Sequence, residues 1–92
     1  MQNSGPVDTV TPMPTVLRAG PYRVFFYSSD AGEPPHVHVQ RGPAEAKFWL
    51  DPVRLARSAG YGASELRRIR SILEGEQSLL LEAWYAFFGG EH

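Results

Sequence analysis

The chain has 92 residues, 42% of them hydrophobic and 21% charged, with a net charge of −1 and no cysteine. That size supports one hydrophobic core and excludes a second domain, and the apolar fraction excludes wholesale disorder. Disulfides and thiolate metal sites are excluded, bulk charge gives no attraction to nucleic acid, and no apolar run approaches the roughly 18 residues of a bilayer crossing.

The first stretch, "MQNSGPVDTVTP", is polar, carries two prolines and has no periodicity. It reads as a disordered leader over residues 1–12, an upstream start ahead of a single domain over 13–92. "TVLR" and "GPYRVFFYSS" then read as two strands separated by Ala19-Gly20-Pro21. "DAGEPP" is a loop by every turn criterion and delivers the chain to His36. "HVHVQR" and "AEAKFWL" are the next two strands, and Gly42-Pro43 between them suits a type II′ hairpin turn.

"DPVRLARSAG" carries two signals. Asp51, Pro52 and Gly60 could cap, open and end a helix, whereas Val53-Arg54-Leu55 alternates as a strand does, and the strand is the reading preferred. From Ala63 the period changes, with Leu66, Ile69, Leu73, Leu80, Trp84 and Phe87 at spacings of a helix stripe. Gly62 with Glu65 resembles a capping box, and Gly89-Gly90 supplies a stop. Gly75 costs about 1 kcal/mol relative to alanine inside a helix. The expected fold is α+β: an antiparallel β-sheet of four or five strands with one long C-terminal helix, kinked or divided at Gly75, packed on one face.

Alternation along the strands sorts side chains onto two faces. Val37 and Val39, with Ala46, Phe48 and Leu50 and with Tyr22, Val24 and Phe26, form an uncharged face suited to the helix stripe. The other face carries Arg23, Phe25, Tyr27, His36, His38, Gln40, Glu45, Lys47 and Trp49. Such a mixture suits a protein–protein interface, a platform that stacks single-stranded RNA bases, or a site with His36 or His38 as an acid–base group. If the leader or the 28–35 loop covers Phe25 and Trp49, the same residues make a second small core instead. Five arginines, Arg54, Arg57, Arg67, Arg68 and Arg70, stand against one acid, Glu65, in that part of the chain. They are either a phosphate-binding patch or a solvated helix face with pairs such as Arg70–Glu74.

His36 and His38 lie about 6.6 Å apart along a strand, near enough to share one ion. Two ligands do not make a zinc site, and the further candidates Asp30, Glu33, Glu45 and His92 stand at no diagnostic spacing. No nucleophile elbow surrounds Ser28 and Ser29, and Gly60-Tyr61-Gly62 is too short to be a phosphate loop.

The runs "MPTVLRAGPYRVFFYSSDAGEPPHVHV", "EAKFWLDPVRLARSAGYGASELRRI" and "LLLEAWYAFFG" resemble the small bacterial family known as domain of unknown function 4160, over residues 13–89. "FFYSSDAGEPPHVHV" joined to "AKFWL" is the most specific part. The resemblance implies a small protein paired with another encoded nearby, in a toxin–antitoxin-like or regulatory system, and implies no catalytic residue. The expected function is therefore a cytoplasmic interaction module that binds its protein partner through Arg23, Phe25, Tyr27, His36, His38, Lys47 and Trp49, with a homodimer as another arrangement. The alternatives are a nucleic-acid-binding protein or small ribonuclease that adds the five arginines to that face, and a divalent-metal site at His36 and His38. No other cofactor and no membrane association is expected.

Overall fold

The computed structural model describes residues 15–89, so the expected leader and His92 lie outside the described residues. Five strands form one antiparallel sheet in chain order: β1 Leu17–Ala19, β2 Tyr22–Phe25, β3 His36–Arg41, β4 Ala44–Leu50 and β5 Val53–Ala59. The "DPVRLARSAG" segment is thus a strand. Three of the four connections are two-residue turns, closed by the pairs Ala19↔Tyr22, Arg41↔Ala44 and Leu50↔Val53. Each has proline at its second central position. At Gly20 and Gly42 the first position has a φ of 57° and 58°, which glycine adopts freely and which matches the right-handed twist of the paired strands. Asp51-Pro52 is joined by a cis peptide bond. The β2–β3 connection is different. It spans residues 26–35, includes a short 3₁₀ helix at Ser28–Gly32, and folds over one face of the sheet.

The faces follow the alternation in the sequence. Val24, Val37, Val39, Ala46, Phe48 and Leu50 pack in one core with Ile69 and Leu73 of α1 (Ala63–Gly75) and Leu80 and Trp84 of α2 (Gln77–Phe88). Full burial of each such side chain is worth roughly 1.5–3 kcal/mol. Phe26, fully buried, seats α2: its ring meets those of Trp84, Phe87 and Phe88 at centroid distances of 5.3–5.7 Å.

Two expectations are corrected. The C-terminal segment is two helices rather than one, separated at Glu76, whose φ of −114° and ψ of 16° leave the helical region. Gly75 is a poor helix former, and the Gln77 amide donates to the Leu50 carbonyl at 2.6 Å, which ties the start of α2 to the end of β4. The break resets the stripe, so Phe88 packs on the core while Phe87 stays 45% exposed. Glu65 does not build a capping box, because Gly62 has no side chain to complete one. Its carboxylate instead accepts two bonds from Arg41, at 2.7 and 2.8 Å, and one from the Tyr22 hydroxyl at 2.7 Å. This network staples α1 to β2 and β3.

Two glycines make opposite predictions. Gly60 has a φ of 92°, and a Cβ there would lie 3.0 Å from Ala44 Cα and Cβ. Gly60→Ala is expected to destabilise the fold by about 1–3 kcal/mol. Gly75 has open space around it, so Gly75→Ala is expected to add about 0.5–1 kcal/mol. Urea unfolding midpoints at unchanged slope measure both.

Candidate metal centre

The site is built on the face opposite the valines. Register sets its members side by side: His36 lies across from Trp49, His38 from Lys47, and Phe25 from His38. The β2–β3 connection closes over them. Within it Asp30 accepts the Tyr27 backbone N–H on Oδ2 at 2.8 Å, and the Asp30 N–H donates to the Tyr27 carbonyl at 3.0 Å. These reciprocal bonds point the Asp30 carboxylate down at the sheet.

Below it the two imidazoles converge. His36 Nε2 lies 3.0 Å from Asp30 Oδ1, and His38 Nε2 lies 3.0 Å from Asp30 Oδ2. One ligating atom from each of Asp30, His36 and His38 falls within a common 4.8 Å. All three residues are buried, His36 completely.

The tautomer of His36 follows from its other nitrogen. Nδ1 lies 2.9 Å from the Pro34 carbonyl, an acceptor only, so Nδ1 carries the proton and donates it. In the neutral ring Nε2 is then a lone pair facing a carboxylate oxygen, and it has no hydrogen-bond partner despite the 3.0 Å separation. Either a second proton or a cation relieves that opposition. His38 is arranged the other way round. Its Nε2 is within hydrogen-bond distance of Asp30 Oδ2 at 3.0 Å, and it is Nδ1 that is buried without a hydrogen-bond partner, the nearest acid being Glu45 at 3.5 Å. Glu45 is itself held by the Tyr27 hydroxyl at 3.3 Å. Histidines that bind metals through one nitrogen commonly present the other to a carbonyl or carboxylate, which fixes the ring.

The surroundings are apolar. His36 stands edge-on to Trp49 and His38 and is tilted against Trp84, at centroid distances of 5.2–5.6 Å. His38 lies between Phe25 and Tyr27, at 5.6 and 4.5 Å. Burial alone would raise the Asp30 carboxyl. The His36 and His38 ring nitrogens 3.0 Å away and the Tyr27 N–H outweigh burial and hold it well below the usual carboxylate range.

The other residues singled out in the sequence form the walls. Arg23 covers the Phe25 ring at 4.1 Å and bonds Gln40, and Lys47 is buried, ion-paired with Glu33 and 4.6 Å above the Trp49 ring. Phe25, His36, His38 and Lys47 are therefore covered by the 26–35 connection, while Arg23, Tyr27 and Trp49 are half-buried at its rim. The arginines do not converge on the cluster. Arg54 and Arg57 are exposed on β5, and Arg67, Arg68 and Arg70 are exposed on α1. Of the further ligand candidates among the described residues, Asp30, Glu33 and Glu45, folding brings Asp30 against both imidazoles. Pro34 and Trp84 also take part: Pro34 acts through its backbone carbonyl, and Trp84, legible in the sequence only as a member of the helix stripe, arrives from the opposite end of the chain.

A family model described as Domain of unknown function (DUF4160) matches residues 22–85. The chain belongs to this family. The DUF4160 match is narrower at both ends than the sequence resemblance, yet it contains Asp30, His36, His38 and Glu45 and runs from β2 into α2. No curated protein and no solved structure matches the chain. Among the described residues no helix is long and apolar enough to cross a membrane.

Proposed function

We propose that the protein is a metal-binding domain in which Asp30, His36 and His38 hold one divalent transition-metal ion. The observation that carries this reading is the pair of buried imidazoles whose Nε2 atoms converge on one carboxylate, with the His36 proton assigned to the opposite nitrogen. Two imidazoles and a carboxylate are a donor set suited to zinc and to its first-row neighbours. The ion joins a loop residue to two strand residues, so its effect is to pin the 26–35 connection onto the sheet. Binding free energy is then folding free energy for that connection. An ion-paired cluster without metal is the competing description, since a proton on His38 Nε2 turns the same contact into a hydrogen bond.

Equilibrium dialysis against zinc decides between them. The expected result is one ion retained per chain, lost in both His36→Ala and His38→Ala. Retention unchanged in those variants would place any bound ion elsewhere. The role of one half of a two-protein pair is compatible with a metal centre, but it needs a surface other than the covered face.

A further inference from the structure

The sheet ends on one side at β5, whose outer edge has no neighbouring strand among the described residues. This edge is seven residues long, and every residue from Arg54 to Ala59 is exposed. Its unpaired backbone groups are a template for another strand. Charge decides which strand. Arg54 and Arg57 pair across β4 with Trp49 and Lys47, so they rise on the histidine side of the sheet. Arg67 and Arg70 of α1 stand on the opposite side, where they rim a cavity of about 170 Å³ floored by Phe48, Leu55 and Leu66. Leu55 in that floor is 41% exposed. The edge is thus flanked by cations on both faces, with an apolar seat on one. Arg70 is already ion-paired with Glu74 at 3.3 Å, the helix-face pair expected from the sequence, which leaves Arg54, Arg57 and Arg67 as the principal cations. A second copy of β5 would bring arginine against arginine, which disfavours self-pairing.

We infer that the β5 edge is a docking site for an extended acidic segment of a protein partner. The segment lies along Arg54–Ala59, places carboxylates toward the arginines on both faces as alternating side chains do, and seats one apolar side chain on Leu55. Nucleic acid fits less well. The floor of the seat lacks an exposed aromatic ring on which a base could stack, and an aliphatic seat contributes nothing to a phosphate contact. The register shifts between Lys47 and Phe48, so that Arg57 and Leu55 oppose consecutive residues of β4 and face opposite sides of the sheet. This inference is independent of the metal centre.

The test uses the full chain and a blocked synthetic glutamate-rich peptide that carries glutamates at both odd and even positions, so that carboxylates reach both faces, with one central leucine. A lysine-for-glutamate version and a single-stranded oligonucleotide serve as comparisons. The expected result is slowed amide hydrogen exchange at residues 54–59 and saturable binding of the glutamate peptide alone. Affinity should fall by about tenfold or more in an Arg54→Ala, Arg57→Ala, Arg67→Ala variant, whose substitutions are all at exposed positions and leave the melting temperature unchanged. Leu55→Glu gives a second, independent loss. The inference is overturned by equal binding of the lysine peptide, by preferential binding of the oligonucleotide, by affinity indifferent to both variants, or by the absence of any exchange protection on β5.

Discussion

Zinc added to about a hundredfold excess over its dissociation constant is expected to raise the melting temperature by about 10–20 °C. Ligand binding to the folded state alone contributes about 2.7 kcal/mol at that excess. A domain of this size moves by about 4–8 °C per kcal/mol. The effect is large because the ligands come from two pieces of chain that only the folded molecule brings together, Asp30 from the connection and His36 and His38 from β3. His38→Ala should abolish the shift. Glu45→Gln should keep it but require about 10–100-fold more zinc, because Glu45 touches only the outer nitrogen of His38. A shift of equal size in His38→Ala would show that the ion acts elsewhere.

Asp30→Ala is expected to cost about 3–5 kcal/mol in metal-free protein, enough to leave a small domain marginal at room temperature. Asp30 is the sole carboxylate within 3.0 Å of both buried imidazoles among the described residues, and it also holds the Tyr27 N–H. Truncation leaves the Tyr27 N–H and the His38 Nε2 beneath the connection without their carboxylate partner, and the penalty is that of unsatisfied buried groups rather than of lost contact area. Asp30→Asn keeps the shape and should lose less. The pH dependence gives an internal check. A carboxyl held lower in the folded than in the unfolded chain stabilises the fold wherever the pH lies above its unfolded value, about 3.9. That contribution is lost as the pH falls toward the folded value. The stability gap between the natural protein and Asp30→Asn should therefore be widest above about pH 5 and narrow steadily below pH 4. Chemical denaturation across that range measures it, and a gap independent of pH would remove the ionic account of Asp30.

Most of the sheet was legible because its signals are local. Alternation in "HVHV" and "AEAKFWL" assigns faces without knowledge of neighbours, and glycine before proline writes two of the hairpin turns directly. The helical stripe was legible in kind but not in phase beyond Gly75. The turn at Glu76 is fixed by a side chain reaching back to Leu50, which lies twenty-seven residues earlier. For the same reason Glu65 looked like a cap and turned out to serve Arg41 and Tyr22.

The centre itself was half legible. The spacing of His36 and His38 showed that their rings share a side, but not whether that side is wet. Coverage depends on the path of "DAGEPP", where residues without periodicity carry no information about which surface the loop meets. Asp30 therefore stood level with Glu33 and Glu45 in the sequence. In the fold it is separated from them by the two backbone bonds with Tyr27 that aim it at both imidazoles, whereas Glu33 turns to Lys47.

Anomalous diffraction from crystals grown with zinc, recorded on both sides of the zinc edge, addresses the centre most directly. The account predicts one strong peak per chain enclosed by Asp30 and the Nε2 atoms of His36 and His38, with bonds of about 2.0–2.2 Å. A peak only at surface carboxylates, or a triad that keeps its nitrogen–oxygen contacts and encloses no ion in saturating zinc, would contradict it.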